Sequence, residues 1–285
     1  MKKLVIIDIN NFIYRAYFGI QQRLTAPDGT PVNAVHGTFS MIHRLLLDSK
    51  PSHVVVAKDS KHSLRKEIYP QYKENRSRMP EDLQKQIPLI YQMLDFMNLD
   101  KMEYLGYEAD DIINSLVQKY QTEFDEILIA SGDKDLMQLV NSKVKCVDTM
   151  KNKTYGALDV KAKLGISPHQ VLDYLALLGD SSDNIPGVQG VGEKTAVKLI
   201  DQFDSLTNIY NNLPALSEKL RKKLEEQKAQ ALLSQELARL KLVELNQLLS
   251  PFSGDYKKKE LVEFLAKLAM KTSITKVEEM GTLSS

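Results

Sequence analysis

Three short apolar runs along the chain share one design. Residues 4–8 (LVIID), 53–59 (HVVVAKD) and 126–133 (EILIASGD) are rich in valine and isoleucine, and each run stops at or just before an aspartate. Continuous apolar runs of this length are typical of parallel strands that are buried on both faces. The three runs therefore predict three strands of a parallel sheet.

Amphipathic helical patterns alternate with these runs. They cover residues 34–47, 81–98 and 109–120, and in the second of them Leu83, Ile90 and Leu94 lie on one apolar stripe. Alternating strands and helices predict an α/β fold, in which ligands bind beyond the carboxyl ends of the parallel strands.

Acidic side chains concentrate at this predicted edge of the sheet. The sequence YEADD places three carboxylates at the start of the 109–120 helix, and SGDKD follows the third strand. Any one of these acids could simply cap a helix. Together they form a set of seven: Asp8, Asp59, Glu108, Asp110, Asp111, Asp133 and Asp135. Because two like charges about 4 Å apart repel by roughly 4 kcal/mol near a protein surface, so dense a set predicts shared divalent cations.

Composition narrows the chemistry. The net charge is +1, Cys146 is the only cysteine, and the five histidines are scattered. These counts argue against an intramolecular disulfide and a zinc site, and all-oxygen ligation favours Mg²⁺. No run approaches the ~20 apolar residues that span a bilayer, and the N-terminal apolar run is too short for a signal peptide. We expect a soluble cytoplasmic protein without a membrane partner.

The chain is predicted to be mainly helical beyond about residue 160. Ser167 and Pro168 signal a helix start, Gly179 signals its end, and residues 214–270 are rich in lysine, glutamate and leucine. The last fifteen residues lack periodicity. We therefore predict an α/β domain over residues 1–165, a helical region over 166–270 and a frayed tail over 271–285.

A glycine-rich hairpin lies inside the helical region. The sequence DSSDNIPGVQGVGEKTA adds Asp180 and Asp183, then Gly190 and Gly192, which allow a nucleic-acid backbone to approach the start of a helix. GVQGVGEKT resembles a phosphate-binding loop for ATP, but Glu193 is inserted before Lys194 and no strand precedes it. An ordinary tight turn between helices is the alternative.

A basic and aromatic stretch follows the second strand. LRKEIYPQYKENR (64–76) interleaves Tyr69 and Tyr72 with Arg65, Lys73 and Arg76. Aromatic rings can stack on unpaired bases while cations hold phosphates, although a charged run can also be a solvated helix face. Its position beside the acidic edge favours nucleic-acid binding.

These residues resemble the 5′ nuclease domain of bacterial DNA polymerase I and the related flap endonucleases. The resemblance covers roughly residues 4–265 and rests on NNFIYRAYF, LRKEIYPQYKENR, GYEADD, SGDKDLMQLV and LLGDSSDNIPGVQGVGEKTA. It implies a PIN-like parallel-sheet nuclease core with a helical arch at about residues 70–98. A mainly helical region with a helix–three-turn–helix DNA-binding motif would follow.

The resemblance also implies roles for individual residues. Asp8, Asp59, Glu108 and Asp110 match a first metal site, and Asp133, Asp135 and Asp183 match a second, with Asp111 and Asp180 as supporting acids. The ions would be two Mg²⁺, with Mn²⁺ as a substitute, and a K⁺ ion would bind main-chain carbonyls of the hairpin. Residues matching the DNA contacts of the family are Arg15, Tyr72, Lys73, Arg76, Gly190, Gly192, Lys194 and Lys198, of which Lys73 and Arg76 would also act in catalysis.

Three features depart from the family pattern. Ile9 stands where a glycine usually follows the first aspartate, Lys58 replaces an apolar residue before the second, and the linker from Asp59 to Arg65 is one residue shorter. The predicted function is a two-metal 5′-3′ exonuclease and 5′-flap endonuclease that acts on junction DNA as a monomer in replication and repair, with a DNA polymerase as a further partner. The alternatives are an inactive DNA-junction binder and a two-metal phosphatase.

Overall fold

A single six-stranded sheet lies at the centre of the structure, a computed structural model that describes residues 1–20, 22 and 24–280. The strand order is β3-β2-β1-β4-β5-β6, and all neighbours are parallel except β5 and β6. The strands are β1 Lys3–Asp8, β2 His53–Ala57, β3 Asp100–Met102, β4 Glu126–Ala130, β5 Val144–Asp148 and β6 Lys153–Tyr155. The three predicted strands are β1, β2 and β4, which confirms the α/β fold class.

Helices cover both faces of the sheet and form most of the second half of the chain. They are α1 Ile9–Gly19, α2 Asn33–Ser49, α3 Arg65–Ile68, α4 Glu81–Phe96, α5 Ala109–Tyr120, α6 Ala157–Leu164, α7 Val171–Leu178, α8 Glu193–Phe203, α9 Leu206–Asn211, α10 Glu218–Glu226, α11 Lys228–Ala238, α12 Lys258–Lys267 and α13 Lys271–Met280. The predicted helices 34–47, 81–98 and 109–120 are α2, α4 and α5. No helix of the described residues is both long and apolar enough to cross a bilayer.

Strand β1 separates two hydrophobic cores. Leu4 and Ile6 point into the core that α5 and the helical region share, and Val5 and Ile7 point into the core with α1, α2 and α4. All four side chains are fully buried. This alternation fixes the register of β1 and leaves Asp8, its last residue, at the carboxyl edge.

The predicted helical arch is only partly confirmed. Residues 70–80 contain turns and extended segments but no helix, and α4 packs through Leu83, Ile90 and Leu94 into the second core. The apolar stripe of α4 is thus buried against the domain. The longest run of exposed residues in the predicted arch is the non-helical segment 74–78.

The elements after residue 238 differ from the predicted helical region and tail in two places. Residues 239–257 contain no helix, and α12 then returns to the α/β domain, where Leu261 and Leu265 join the core of α2 and α4. The residues 271–280 form α13 rather than a frayed tail, because Val277 is buried there and Ser273 lies 3.3 Å from His36 Nδ1. Residues 281–285 of the predicted tail lie outside the described residues.

Candidate active site

Two aspartates, Asp8 and Asp59, meet at the carboxyl edge of the central strands. In the sheet Asp8 is opposite Ala57 and Ile7 is opposite Ala130, so the residues that follow β2 and β4 emerge beside Asp8. The Asp8 carboxylate accepts hydrogen bonds from the Asn11 amide (3.1 Å) and from Ser131 Oγ (2.8 Å). Asp59 accepts one from the Ala109 amide at 2.7 Å, which ties the β2 loop to the start of α5.

The start of α5 brings Glu108 and Asp110 to the same edge. Glu108 is the N-cap of the helix and Asp110 lies in its first turn, where the positive end of the helix dipole favours negative charge. Glu108 is 5% exposed and accepts hydrogen bonds from Tyr72 Oη at 2.9 Å and from Lys73 Nζ at 2.8 Å.

Four more acids complete the cluster from the other side. Asp133 Oδ1 accepts the Asp135 amide at 2.9 Å, and Asp180 pairs with Lys134 at 2.8 Å. Asp183 contacts Arg76 Nη2 and Tyr72 Oη, the latter at 3.1 Å. The loop after α7 therefore faces two segments, the loop after β4 and residues 64–76, which we call the arch base.

Burial and mutual repulsion raise the pKa values of several carboxyl groups in the cluster. Burial and the neighbouring Asp59 raise the pKa of Asp8 to about 7. Burial, reinforced by Asp133, also raises the pKa values of Asp110 and Asp135 well above the usual range. In addition, Asp135 Oδ1 is buried without a hydrogen-bond partner among the described residues. Close, buried carboxylates with an unused oxygen are the donor set that a hard dication takes up.

Protein cations lie among these carboxylates. Lys73 Nζ lies between Glu108 (2.8 Å) and Asp183 (3.6 Å), and burial is outweighed by these two acids, which raise the pKa of Lys73. Lys73 also adopts a left-handed backbone conformation with φ of 59°. Within the described ranges, no three acidic, histidine or cysteine side chains stand close enough together to hold a metal ion.

Asp111 has a structural role that differs from the predicted one. Its carboxylate pairs with both Arg65 Nη atoms at 2.7 Å and accepts the amides of Glu108 (3.1 Å) and Lys241 (2.8 Å). These four bonds use its acceptor positions, and the residue is 1% exposed. Asp111 therefore holds the start of α5 to Arg65 and Lys241, and its support of a metal through water stays a prediction.

Arg65 was expected to hold phosphates, and the structure contradicts this expectation as well. The side chain is 3% exposed and its guanidinium donates to Asp111 and to the carbonyls of Leu237 and Arg239, both at 2.9 Å. Arg65 thus joins the arch base to the start of α5 and to the end of α11. No spacing rule reveals such a contact, because the partners lie far apart in sequence.

Tyr72 is a further correction. The ring is 2% exposed and belongs to the first hydrophobic core, so it presents no face on which a base could stack. Its hydroxyl instead lies within hydrogen-bond distance of Glu108 and Asp183. Tyr69, three residues earlier, is half-buried.

Removing this hydroxyl should destabilise the protein measurably. Tyr72→Phe removes one hydrogen-bond donor from between Glu108 and Asp183, which keep Lys73 and Arg76 as partners. We therefore expect the free energy of unfolding to fall by about 0.5–1.5 kcal/mol. Urea titration followed by circular dichroism measures the loss, with Tyr69→Phe as the matched control. Equal effects of the two substitutions would contradict the assigned role of the Tyr72 hydroxyl.

Two profiles of known protein families together match residues 3–251 of the chain. The profile of the 5′-3′ exonuclease N-terminal resolvase-like domain matches residues 3–165, and that of the 5′-3′ exonuclease C-terminal SAM fold matches residues 166–251. The chain belongs to the 5′-3′ exonuclease family. The 5′-3′ exonuclease of Aquifex aeolicus is 38% identical over 213 residues, which cover 74% of this chain and 73% of that protein.

Two further relatives extend the comparison. DNA polymerase I of Caldicellulosiruptor bescii is 42% identical over 284 residues, covering 96% of this chain but 33% of the polymerase, so the chain spans about a third of that relative. A crystal structure of a bacteriophage T5 flap endonuclease variant in a pseudo-enzyme-product complex with DNA and metal ions has a TM-score of 0.72, with 20% identity and 99% of both chains covered. This likeness shows a shared fold.

Two of the three departures from the family pattern, Ile9 and Lys58, have local explanations. Ile9, where the family usually has glycine, is fully buried in the core of α1 and α2. Lys58 points away from the cluster, because its ammonium pairs with Glu103 at 2.6 Å and lies 4.7 Å from the centre of the Tyr91 ring. Neither Ile9 nor Lys58 replaces one of the acidic residues of the predicted metal sites.

Arg15 lies next to the cluster but is anchored by a residue that the sequence did not single out. Its guanidinium forms a bidentate pair with Asp148, which is 2% exposed. The guanidinium also lies directly over Gly132, where a Cβ atom would be 1.7 Å from Nη2. A side chain at position 132 would therefore displace the Arg15 guanidinium, and the glycine of the SGDKD motif leaves it in place.

The glycine hairpin and the start of α8 form a separate, exposed part of the molecule outside the carboxylate cluster. Gly190 and Gly192 are exposed just before α8, and Lys194 and Lys198 are exposed on that helix. Gly190 has φ of 78°, a left-handed conformation that favours glycine. The structure thus offers an exposed loop and two cations at a helix N-terminus.

Proposed function

We propose that this protein is a structure-selective 5′ nuclease that hydrolyses DNA phosphodiesters at single-strand/duplex junctions, as a 5′-3′ exonuclease and a 5′-flap endonuclease. The observation that carries the proposal is the convergence of buried carboxylates at one sheet edge directly beside Lys73 and Arg76 at the arch base. Acids alone could serve many metal reactions. Cations beside them select an anionic substrate such as a phosphodiester.

Metal dependence is inferred from the chemistry of the donor set. Because no three of the described acids now stand close enough together to hold an ion, they would have to draw closer when an ion binds. Asp8, Asp59, Glu108 and Asp110 would hold one Mg²⁺ and Asp133, Asp135 and Asp183 a second, with Mn²⁺ as a substitute and Asp180 as a supporting acid. Bound dications supply Lewis acidity and an activated water for phosphoryl transfer. Because Lys73 and Arg76 now pair with Glu108 and Asp183, these cations would have to turn from the acids toward the substrate when the ions bind.

The remaining residues would hold and orient DNA. Released from the carboxylates, Lys73 and Arg76 would neutralise charge that develops on the scissile phosphate. Arg15, held over Gly132 by Asp148, would contact a phosphate next to Asp133. Lys194 and Lys198 would grip the duplex backbone beyond the junction.

Cleavage by the wild-type protein tests this proposal. We expect a labelled 5′-flap duplex to be cut near the junction in Mg²⁺ and to remain intact in EDTA, while a small aryl phosphate is not turned over. Binding of the flap without cleavage in Mg²⁺ or Mn²⁺ would favour the inactive DNA-junction binder. Turnover of the aryl phosphate without DNA cleavage would favour the phosphatase.

The proposed activity also implies binding partners for the protein. DNA with 5′ flaps is the proposed partner, and a DNA polymerase is a further one because the relative from Caldicellulosiruptor bescii joins such a region to a longer chain. Action as a monomer in the cytoplasm remains a prediction. Binding of a K⁺ ion by main-chain carbonyls of the hairpin also remains a prediction.

A further inference from the structure

Asp148, the last residue of β5, binds Arg15 beside the acidic edge. Its buried carboxylate pairs with the two Nη atoms of the guanidinium at 2.5 and 3.3 Å. Oδ1 also accepts the amides of Met150 and Lys151, both at 3.1 Å. Burial would raise the pKa of Asp148, but the bonds from Arg15 and from the Lys151 amide hold it below the usual range. At neutral pH the contact is therefore a full ion pair.

Arg15 lies beside the proposed second metal group without pairing with any of its acids. Its guanidinium lies over Gly132, where a Cβ atom would be 1.7 Å from Nη2, and Asp133 is the next residue. Among the residues that the structure describes, Asp148 is the only acid that forms an ion pair with Arg15. The guanidinium is thus held one residue from a proposed metal ligand by a carboxylate that is not one.

The other two cations at this edge do pair with proposed metal ligands. Lys73 Nζ lies 2.8 Å from a carboxylate oxygen of Glu108. The Arg76 guanidinium pairs with Asp183. A cation in such a position competes with a dication for the carboxylate, because both are attracted by the same negative charge. A third cation, left unpaired over Gly132, would be drawn to the neighbouring acids in the same way.

We propose that Asp148 is a positioning residue, which keeps the Arg15 guanidinium away from the metal-binding acids and directs it toward a substrate phosphate. The inference rests on the proposed function, since it concerns metal and DNA binding by the same site. Without this carboxylate, the freed guanidinium should compete with the dication for Asp133 and should no longer reach the phosphate.

Metal binding and DNA binding, measured separately, test the proposal. Asp148→Asn removes the charge that holds Arg15 and keeps an oxygen for the amides of Met150 and Lys151. In isothermal titration calorimetry without DNA, this variant should bind Mn²⁺ at least about fivefold more weakly than the wild type. The double variant Asp148→Asn with Arg15→Met should recover the wild-type Mn²⁺ affinity to within about twofold, because the competing cation is gone.

The second measurement follows a labelled 5′-flap duplex by fluorescence anisotropy in EDTA. Asp148→Asn should bind this duplex at least about threefold more weakly than the wild type, because its Arg15 no longer faces the phosphate. The double variant should bind it no more weakly than Arg15→Met alone. Loss of DNA binding without recovery, combined with recovery of metal binding, is an outcome that a purely structural role of Asp148 would not produce.

Glu126→Gln is the matched control. Glu126 also pairs with cations, Lys3 at 2.9 Å and Lys145 at 2.7 Å, but it begins β4 and so lies at the opposite edge of the sheet. The control should change neither affinity by more than about twofold. Asp148→Ser, which also keeps an oxygen for the turn, repeats the test if the asparagine variant does not fold.

A Mn²⁺ affinity of Asp148→Asn equal to that of the control would overturn the inference. So would a double variant that binds Mn²⁺ as weakly as Asp148→Asn, because the loss would then come from the carboxylate itself. Either result leaves the proposed function intact, since the wild type would still bind Mn²⁺ and cleave the flap. A folded wild type that binds neither Mn²⁺ nor the flap would overturn the proposed function and this inference with it.

Discussion

Asp133→Ala combined with Asp183→Ala should lower the rate of flap cleavage by at least about 1000-fold, which corresponds to roughly 4 kcal/mol of transition-state stabilisation. Both carboxylates belong to the proposed second metal group, and each faces a different loop of the site. Losing both removes the negative charge that would hold a dication there. Single-turnover cleavage of a labelled flap in saturating Mg²⁺ measures the effect.

The double variant should still fold and bind DNA. Burial and Asp183 raise the pKa of Asp133 despite the Asp135 amide, so removing the two acids relieves repulsion in the metal-free protein. The backbone contact from the Lys73 amide to the Asp183 carbonyl, at 2.9 Å, does not depend on the side chain. Against this gain, Asp183→Ala removes a partner of Arg76 and Lys73. We therefore expect a melting temperature and a flap affinity close to those of the wild type.

Asp48→Ala combined with Asp201→Ala is the matched control, because both acids are exposed and lie on helices outside the cluster. This control should cleave at the wild-type rate. Cleavage by the Asp133 and Asp183 variant within tenfold of the control would refute the assignment of the second metal group.

The acidic edge could be predicted because local rules determine it. A buried parallel strand needs a continuous apolar run, the run must end, and an aspartate after its end necessarily reaches the carboxyl edge. Three such runs sufficed to bring Asp8, Asp59 and Asp133 together. The capping position of Glu108 followed from the start of the α5 pattern in the same way.

What the sequence did not reveal depends on contacts between distant segments. The burial of Tyr72 and Arg65 is set by what packs over them, and both residues look like solvated members of a basic run. Likewise, α13 has too little periodicity to be predicted from its own sequence. It forms because Val277 packs into the core with α2 and Ser273 contacts His36 on α2. The partner that anchors Arg15, Asp148, lies 133 residues away along the chain.

Arg65 carries the largest predicted effect on stability. Arg65→Met should lower the free energy of unfolding by about 3–5 kcal/mol, because it leaves the Asp111 carboxylate buried and without its cation. It also leaves the carbonyls of Leu237 and Arg239 without their donors. Urea denaturation at neutral pH, followed by circular dichroism, measures the loss.

Arg44→Met is the matched control, because Arg44 and its partner Asp48 are 61% and 65% exposed at 3.5 Å. Exposed pairs of this kind contribute about 0–1 kcal/mol, so the control should remain close to the wild type. A loss for Arg65→Met no larger than that of the control would show that the buried pair does not hold the site together.

The pair can be separated from the packing by a double-mutant cycle. Asp111→Leu alone leaves the buried Arg65 with only the 3.4 Å contact to Glu108 as an ion pair. Asp111→Leu with Arg65→Met removes both charges and should be less destabilised than the sum of the single changes. Recovery should be incomplete, because the amides of Glu108 and Lys241 lose the Asp111 acceptor in either case. Strict additivity would mean that the two side chains act independently, and would refute the view that their contact joins the start of α5 to the end of α11.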